Sequence, residues 1–295
     1  MKRLHVRHSA QGFSLIEMMI ALLLGLIVLG AAFVLFVGNL RTFNSNDGQN
    51  RVQENARVAY EMLAADVRST GTTACTRESS VRGTDSNSDA FRSPLDGTSS
   101  SLTMVGVDEM AYRVDPNNSD ASHVTLLDAT PAASDIFNVN DVLMICNGSM
   151  TGFATVNSIS GQQINFTTPL AFNPVDTVGA SRASISIGRL RTTTWSVAPN
   201  GGPTGSSLYV DLNDGAGNQE AAVGIQPWTL LFHQTQGGNP NVYAPATGAS
   251  FNYQNVDAVN MLIPIRAIIP GNAPGESNQV NRNLAATVAI RNRVP

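Results

Sequence analysis

Residues 18–40 carry no charge, and that stretch limits what the chain can become more than anything after it. Its roughly 23 residues make a helix of about 34 Å at 1.5 Å rise per residue, enough to cross a bilayer. Glu17 stands at its head, inside the segment Gly12-Phe13-Ser14-Leu15-Ile16-Glu17. An ionisable group in hydrocarbon costs about 2.5–3.5 kcal/mol even on lenient insertion scales, so a carboxylate there calls for a counter-charge. Ahead of it lie Lys2, Arg3 and Arg7, with His5 and His8. That positive patch stays cytoplasmic by the positive-inside rule. An ordinary secretory signal has a shorter apolar core with its small-x-small cleavage site behind it. Here the plausible processing junction, Gly12-Phe13, precedes the core. Cutting there removes the charged leader, keeps the hydrophobic helix and frees an amine at Phe13. The alternative is an uncleaved signal anchor, which accounts for the length and flanking charge but leaves Glu17 unexplained.

The segment Gly12-Phe13-Ser14-Leu15-Ile16-Glu17 resembles the class III signal of type IV pilins and type II secretion pseudopilins. The resemblance implies cleavage after Gly12 by a prepilin peptidase and N-methylation of Phe13. It also implies that Glu17 recruits each subunit to a growing filament. The physical logic is that a buried carboxylate on one subunit and a buried ammonium on its neighbour each carry a desolvation penalty, which pairing offsets. The partners implied are other minor and major pilins, the prepilin peptidase, the inner-membrane assembly platform, and membrane lipid before assembly.

Behind the span, Val52, Ala56, Ala59, Leu63 and Val67 recur at the spacing of one helix face, with Arg51, Glu54, Arg57, Glu61 and Arg68 on the other side. Arg57 and Glu61 are spaced for an i,i+4 pair. Gly71 is a reasonable stop. Gly25, Gly30 and Gly38 interrupt the apolar helix, each weakening it by up to about 1 kcal/mol relative to alanine. They permit close helix–helix approach, or a stretch that loosens as subunits pack.

After Cys75 the texture changes. Residues 76–101 are rich in Ser, Gly, Asp and Arg and read as an exposed loop. Short apolar runs then alternate with turn signals, as antiparallel strands do. The candidates are 102–107, 110–114, 123–127, 142–145, 153–159, 164–168, 184–196, 207–211, 221–234, 258–269 and 284–292. Asn147-Gly148 and Asp214-Gly215 are turn dipeptides, and 198–206, 236–250 and 270–279 read as loops. The fold class expected is α+β: a long N-terminal helix backed by a wide antiparallel sheet. The expected divisions are a leader at 1–12, a transmembrane and filament-core helix at 13–40, an amphipathic extension at 41–71 and a periplasmic β-rich domain at 72–295.

Three later segments resemble the larger minor members of the same superfamily. They are Asn55-Ala56-Arg57 with residues 63–68 and Gly71, Val223-Gly224-Ile225 with 259–266, and residues 286–293. What this implies is a minor pilin that primes assembly or caps the tip, in support of twitching, adhesion or DNA uptake. A minor pseudopilin of a type II secretion system shares the signal and the helix. A third class of reading is a periplasmic hydrolase or sensor on an uncleaved anchor.

Cys75 and Cys146 both follow the span, where an oxidising periplasm lets them pair. Closing a loop of about 72 residues constrains the unfolded chain by roughly 4 kcal/mol on the entropy model. Two separate buried thiols are the alternative. Lys2 is the only lysine, and removal of Lys2, Arg3 and Arg7 leaves 15 of 18 basic residues against 22 acidic ones, a side-chain charge of −7. Such a chain has no broad basic face for nucleic acid. Arg189 and Arg191 near Trp195 offer contact to an anionic partner, but arginines alternating on a solvated strand face are the preferred reading. His123 and His233 are isolated in the sequence, and no HExxH, paired CxxC or GxSxG occurs. The chain therefore reads as non-enzymatic, without cofactor. Residues 211–220 pack oxygen ligands densely enough for Ca²⁺, but Gly215 and Glu220 come too early for an EF-hand, and a hairpin loop is preferred.

Overall fold

The computed structural model describes residues 14–75, 79–108, 110–175, 184–235, 242–247, 251–269 and 279–291. In chain order these form α1 (Leu15–Ser69), β1 (Ser80–Val81), α2 (Ser86–Arg92), β2 (Leu95–Gly97), β3 (Ser101–Val107), β4 (Tyr112–Val114) and β5 (His123–Thr125). There follow α3 (Ala133–Ile136), β6 (Val142–Cys146), β7 (Met150–Ser160), β8 (Gln163–Phe166), β9 (Ile185–Pro199), β10 (Ser206–Asp211) and β11 (Gln219–Val223). The last strands are β12 (Thr229–Gln234), β13 (Val256–Ile268) and β14 (Gln279–Ala289). The class is α+β, a long helix with a large, almost wholly antiparallel sheet. The described residues fall into two compact units. One holds those up to Asn50 with those of 268–280, the other those of 51–267 with those from 281 on.

In the first unit the helix is apolar and open to its surroundings. Leu15 is 78% exposed, and Val34 and Leu35 are 70% exposed. The helix is long and apolar enough to cross a membrane, and an exposed apolar surface of this extent marks a protein or membrane contact site. Within the same unit a methyl group on Gly48 would stand 3.2 Å from Ile269, which makes Gly48 a contact point for that chain segment.

In the second unit the helix is amphipathic as its sequence predicts. Val52, Ala59, Leu63 and Val67 are buried and Ala56 is half-buried, while Arg57 and Glu61 form the expected exposed pair at 2.7 Å. The helix ends at Ser69, and Gly71 takes φ +68°, the left-handed conformation that stops a helix cheaply. Its amide donates to the Val105 carbonyl on β3 at 2.8 Å, tying the helix end to the sheet.

The sheet is organised around β9. One edge of this strand pairs with β4 at Ile185–Ile187 and with β3 at Leu190–Ser196. The other edge pairs with β6 at Ser186–Arg189 and with β10 at Thr194–Pro199. Ile185 and Ile187 enter a core with Leu143, Ile145, Phe137 and Val156. At the other end of the same strand face Trp195 is buried, and its indole N–H donates to the Asp66 carboxylate of α1 at 2.7 Å. A separate sheet in the order β12-β13-β14 completes the fold, with Asn260 donating to the Thr287 hydroxyl at 2.7 Å.

Two expectations need correction. Residues 76–101 are not simply an exposed loop, because the described part contains β1, α2 and β2, with Leu95 fully buried. Polar composition hid a helix whose one large apolar residue, Phe91, is buried against Phe153 at 5.3 Å between ring centroids. Nor are residues 221–234 one strand. The chain breaks between β11 and β12 at Gly224, φ +84°, where a Cβ would collide with the Arg266 carbonyl oxygen, so only glycine fits. Of the expected loops, 236–241, 248–250 and 270–278 lie outside the described residues.

Asp85 caps α2, accepting from the Asn87 and Ser88 amides at 3.0 Å and the Ser88 hydroxyl at 2.6 Å. Burial opposes its ionisation, but those hydrogen bonds prevail and hold its carboxyl below the usual range. Asp85→Ala is expected to cost about 1 kcal/mol at neutral pH. Because the folded pKa is depressed, that contribution is present above the unfolded value near 3.9 and disappears as pH falls through the folded one. Urea melts of both proteins at pH 7 and pH 2.5 check this; a gap that persists undiminished at pH 2.5 excludes the carboxylate cap.

Candidate assembly segment

Gly12 and Phe13 lie outside the described residues, so the geometry begins at Ser14. Glu17 occupies the first turn of α1 and is exposed. Its Oε2 accepts the Ser14 backbone N–H at 3.0 Å, and the Ser14 carbonyl accepts from Met18 at 3.2 Å. Ser14-Leu15-Ile16-Glu17 is thus the glutamate half of a capping box, in which the N3 carboxylate reaches back to the N-cap amide. The S-x-x-E spacing was legible in the sequence. Its effect is that the carboxylate and one orphan amide of the helix start satisfy each other within one chain.

Apart from Ser14, the described residues flanking Glu17 are apolar and exposed, including Leu15, Ile16, Met18 and Ile20. Further along, a Cβ placed on Gly25, Gly30 or Gly38 would meet nothing within 4 Å, so each is an open notch on the helix surface. The Gly38 carbonyl also accepts the Thr42 hydroxyl at 3.1 Å, one turn on. The segment therefore combines a membrane-length apolar surface, small-residue notches and one carboxylate at its start. Chemically it is suited to burial against lipid or like helices.

The remaining site residues fall elsewhere. Cys75 and Cys146 are joined, with Cα atoms 6.0 Å apart, linking the stretch after α1 to the end of β6. Arg189 and Arg191 share a strand face but are not simply solvated. Arg189 donates to Asp141 at 3.0 Å and to the Ile136 carbonyl. Arg191 donates to the Thr193 hydroxyl at 3.1 Å and lies 3.7 Å from Asp66. They form a polar belt between the two apolar ends of β9, and periodicity alone could not tell such a belt from an outer face. His123 contacts Asp120 at 3.1 Å and His233 contacts Asp257 at 2.5 Å, so neither is isolated in space. Residues 212–218 form the hairpin loop between β10 and β11, with Asp211 and Asp214 each capping a loop amide.

Compared with known families, residues 7–33 match the model described as the prokaryotic N-terminal methylation motif. The match takes in Arg7, Gly12, Phe13, Glu17 and much of the apolar run. No curated protein and no solved structure matches the chain.

Proposed function

Starting from a chain that carries the prepilin signal of type IV pilin-like proteins, we propose that it is a minor pilin of the PilW type. In this reading it is a non-covalent subunit that primes or caps a type IV pilus. The prepilin peptidase cuts between Gly12 and Phe13 and methylates Phe13. The helix holds the subunit in the inner membrane with residues 72–295 in the periplasm, until it leaves lipid for the filament. Glu17 then meets the Phe13 ammonium of a neighbouring major or minor subunit at the assembly platform. The observation that carries the reading is the match at residues 7–33, joined to a helix that continues without a break to Ser69. A minor pseudopilin of a type II secretion system shares every one of these features. Loss of twitching against loss of exoprotein export on deletion separates the two.

The direct test is the amino terminus of the protein extracted from membranes. Mass spectrometry is expected to find a chain beginning at N-methylated Phe13, and in cells lacking the peptidase a chain beginning at Met1. An intact leader in cells with active peptidase contradicts the proposal and favours a simple anchor.

A further inference from the structure

The spine strand β9 leaves a gap in its own sheet. On one edge it is paired without interruption by β3, from Leu190 to Ser196. On the other edge the register with β6 stops at Leu143↔Arg189 and that with β10 stops at Asp211↔Thr194. Residues 190–193 have no registered partner there. The phase of the ladder follows from Asp108 donating to the Arg189 carbonyl and Val197 donating to the Ser100 carbonyl. Odd-numbered residues of β9 therefore spend their backbone groups on the β3 edge, and Thr192 turns its N–H and C=O into the gap.

The lips of the gap are built unusually. Asn140 (φ 73°) precedes β6 and Asn213 (φ 54°) follows β10, and these are the two non-glycine residues with positive φ among those described. Each sits where its chain peels away from β9. Asparagine enters this conformation more readily than other non-glycine residues, so both mark the tight turns by which the two segments leave β9. The cleft they border encloses about 490 Å³. Asn87 and Asn138 also line it, and none of these four side-chain amides has a hydrogen-bond partner among the described residues. Its cations are already engaged, Arg189 by Asp141 and Arg191 by Thr193 and Asp66.

Of its carboxylates, Asp141 is held by Arg189 and the Asn138 backbone amide, and Asp214 accepts the Ala216 amide. The open backbone edge and the asparagine amides therefore call for a ligand that both donates and accepts hydrogen bonds. We infer that the gap between β6 and β10 is a binding site for an extended peptide segment of another polypeptide. One of its residues exchanges both backbone hydrogen bonds with Thr192, and its flanking amides meet the asparagine lips. Adding a strand to an open sheet edge is a general mode of peptide recognition. The gap of four residues measures about 13 Å at roughly 3.3 Å per residue, so the segment is a loop tip or chain end rather than a long strand. A peptide fits better than a saccharide because the lining holds no aromatic ring for a sugar face. The inference stands independently of whether the chain enters a filament.

The test uses the ¹⁵N-labelled full chain in detergent micelles with capped tetra-alanine, which offers backbone groups alone. The free protein should show fast hydrogen exchange at Thr192 beside slow exchange at Arg191 and Thr193. Millimolar peptide should move the Thr192 amide resonance saturably and slow its exchange about tenfold. The double variant Asn140→Gly with Asn213→Gly keeps both backbone conformations, since glycine tolerates positive φ. It should bind about tenfold more weakly, the loss of roughly 1.4 kcal/mol of hydrogen bonding. A protected Thr192 amide in the free protein overturns the inference, as does a resonance that peptide leaves in place. So does a response to maltose without one to peptide, or a double-glycine variant that binds as well as the parent.

Discussion

Glu17→Ala is expected to insert into the membrane normally and to be nearly lost from sheared filaments. Removing the charge makes insertion easier, since a carboxylate costs about 2.5–3.5 kcal/mol at the centre of a span. In the proposed function the penalty falls on assembly, because the Phe13 ammonium of a neighbouring subunit would then be left in hydrocarbon without its counter-ion. Leaving one member of a buried pair costs about 3–5 kcal/mol, enough to reduce incorporation by at least a hundredfold. The hydrogen bond from Ser14 to Glu17 supplies a competing explanation, that the side chain matters only as a helix cap. Glu17→Gln separates the two, since glutamine also serves at this position of a capping box but carries no charge. Immunoblots of sheared pili and membranes measure both variants. Alanine at the wild-type level in filaments removes Glu17 from assembly, and rescue by glutamine reduces it to a cap.

Cys75→Ser combined with Cys146→Ser is expected to destabilise the second unit by about 4 kcal/mol. The bridge closes a sequence separation of 71 residues, and the chain-entropy cost of freeing such a loop in the unfolded state is of that size. The effect acts where the stretch after α1 meets β6, whose Cys146 is fully buried. For a unit of this size the midpoint of thermal unfolding should fall by about 10 °C. The double variant, compared with the parent in urea under non-reducing conditions, should show a lower midpoint. Adding reductant should bring the parent down to the variant. Coincident curves before reduction would show that the bridge does not constrain the unfolded chain.

The helix and most strands were legible because their signals are local. Val52, Ala59, Leu63 and Val67 mark one face by spacing alone, and the candidate strands at 102–107, 142–145 and 207–211 each differ from β3, β6 and β10 by no more than a residue at either end. The failures share a different cause. α2 is a polar helix held by an Asp85 cap and one aromatic anchor, so no apolar period announces it. The break at Gly224 is imposed by a carbonyl 42 residues further along the chain, which no window around 221–234 contains. Arg189 and Arg191 carry the alternation of a solvated face but meet Asp141 and Asp66, acids far away in sequence. For the candidate site the balance is similar. Glu17 and the Gly12-Phe13 junction stand in a six-residue motif, whereas the gap beside Thr192 exists only because β6 and β10 both turn away from one strand.

Because β9 serves four neighbours, two hydrophobic interiors depend on the alignment of one strand. Ile187 belongs to one and Trp195 lies under the helix at the other, both on the same side of the strand. Sliding β9 by a single residue would turn both outward together, since side chains alternate with a period of two. The halves of this sheet therefore have no independent way to come apart: whatever loosens the middle strand releases the helix and the far interior as one event.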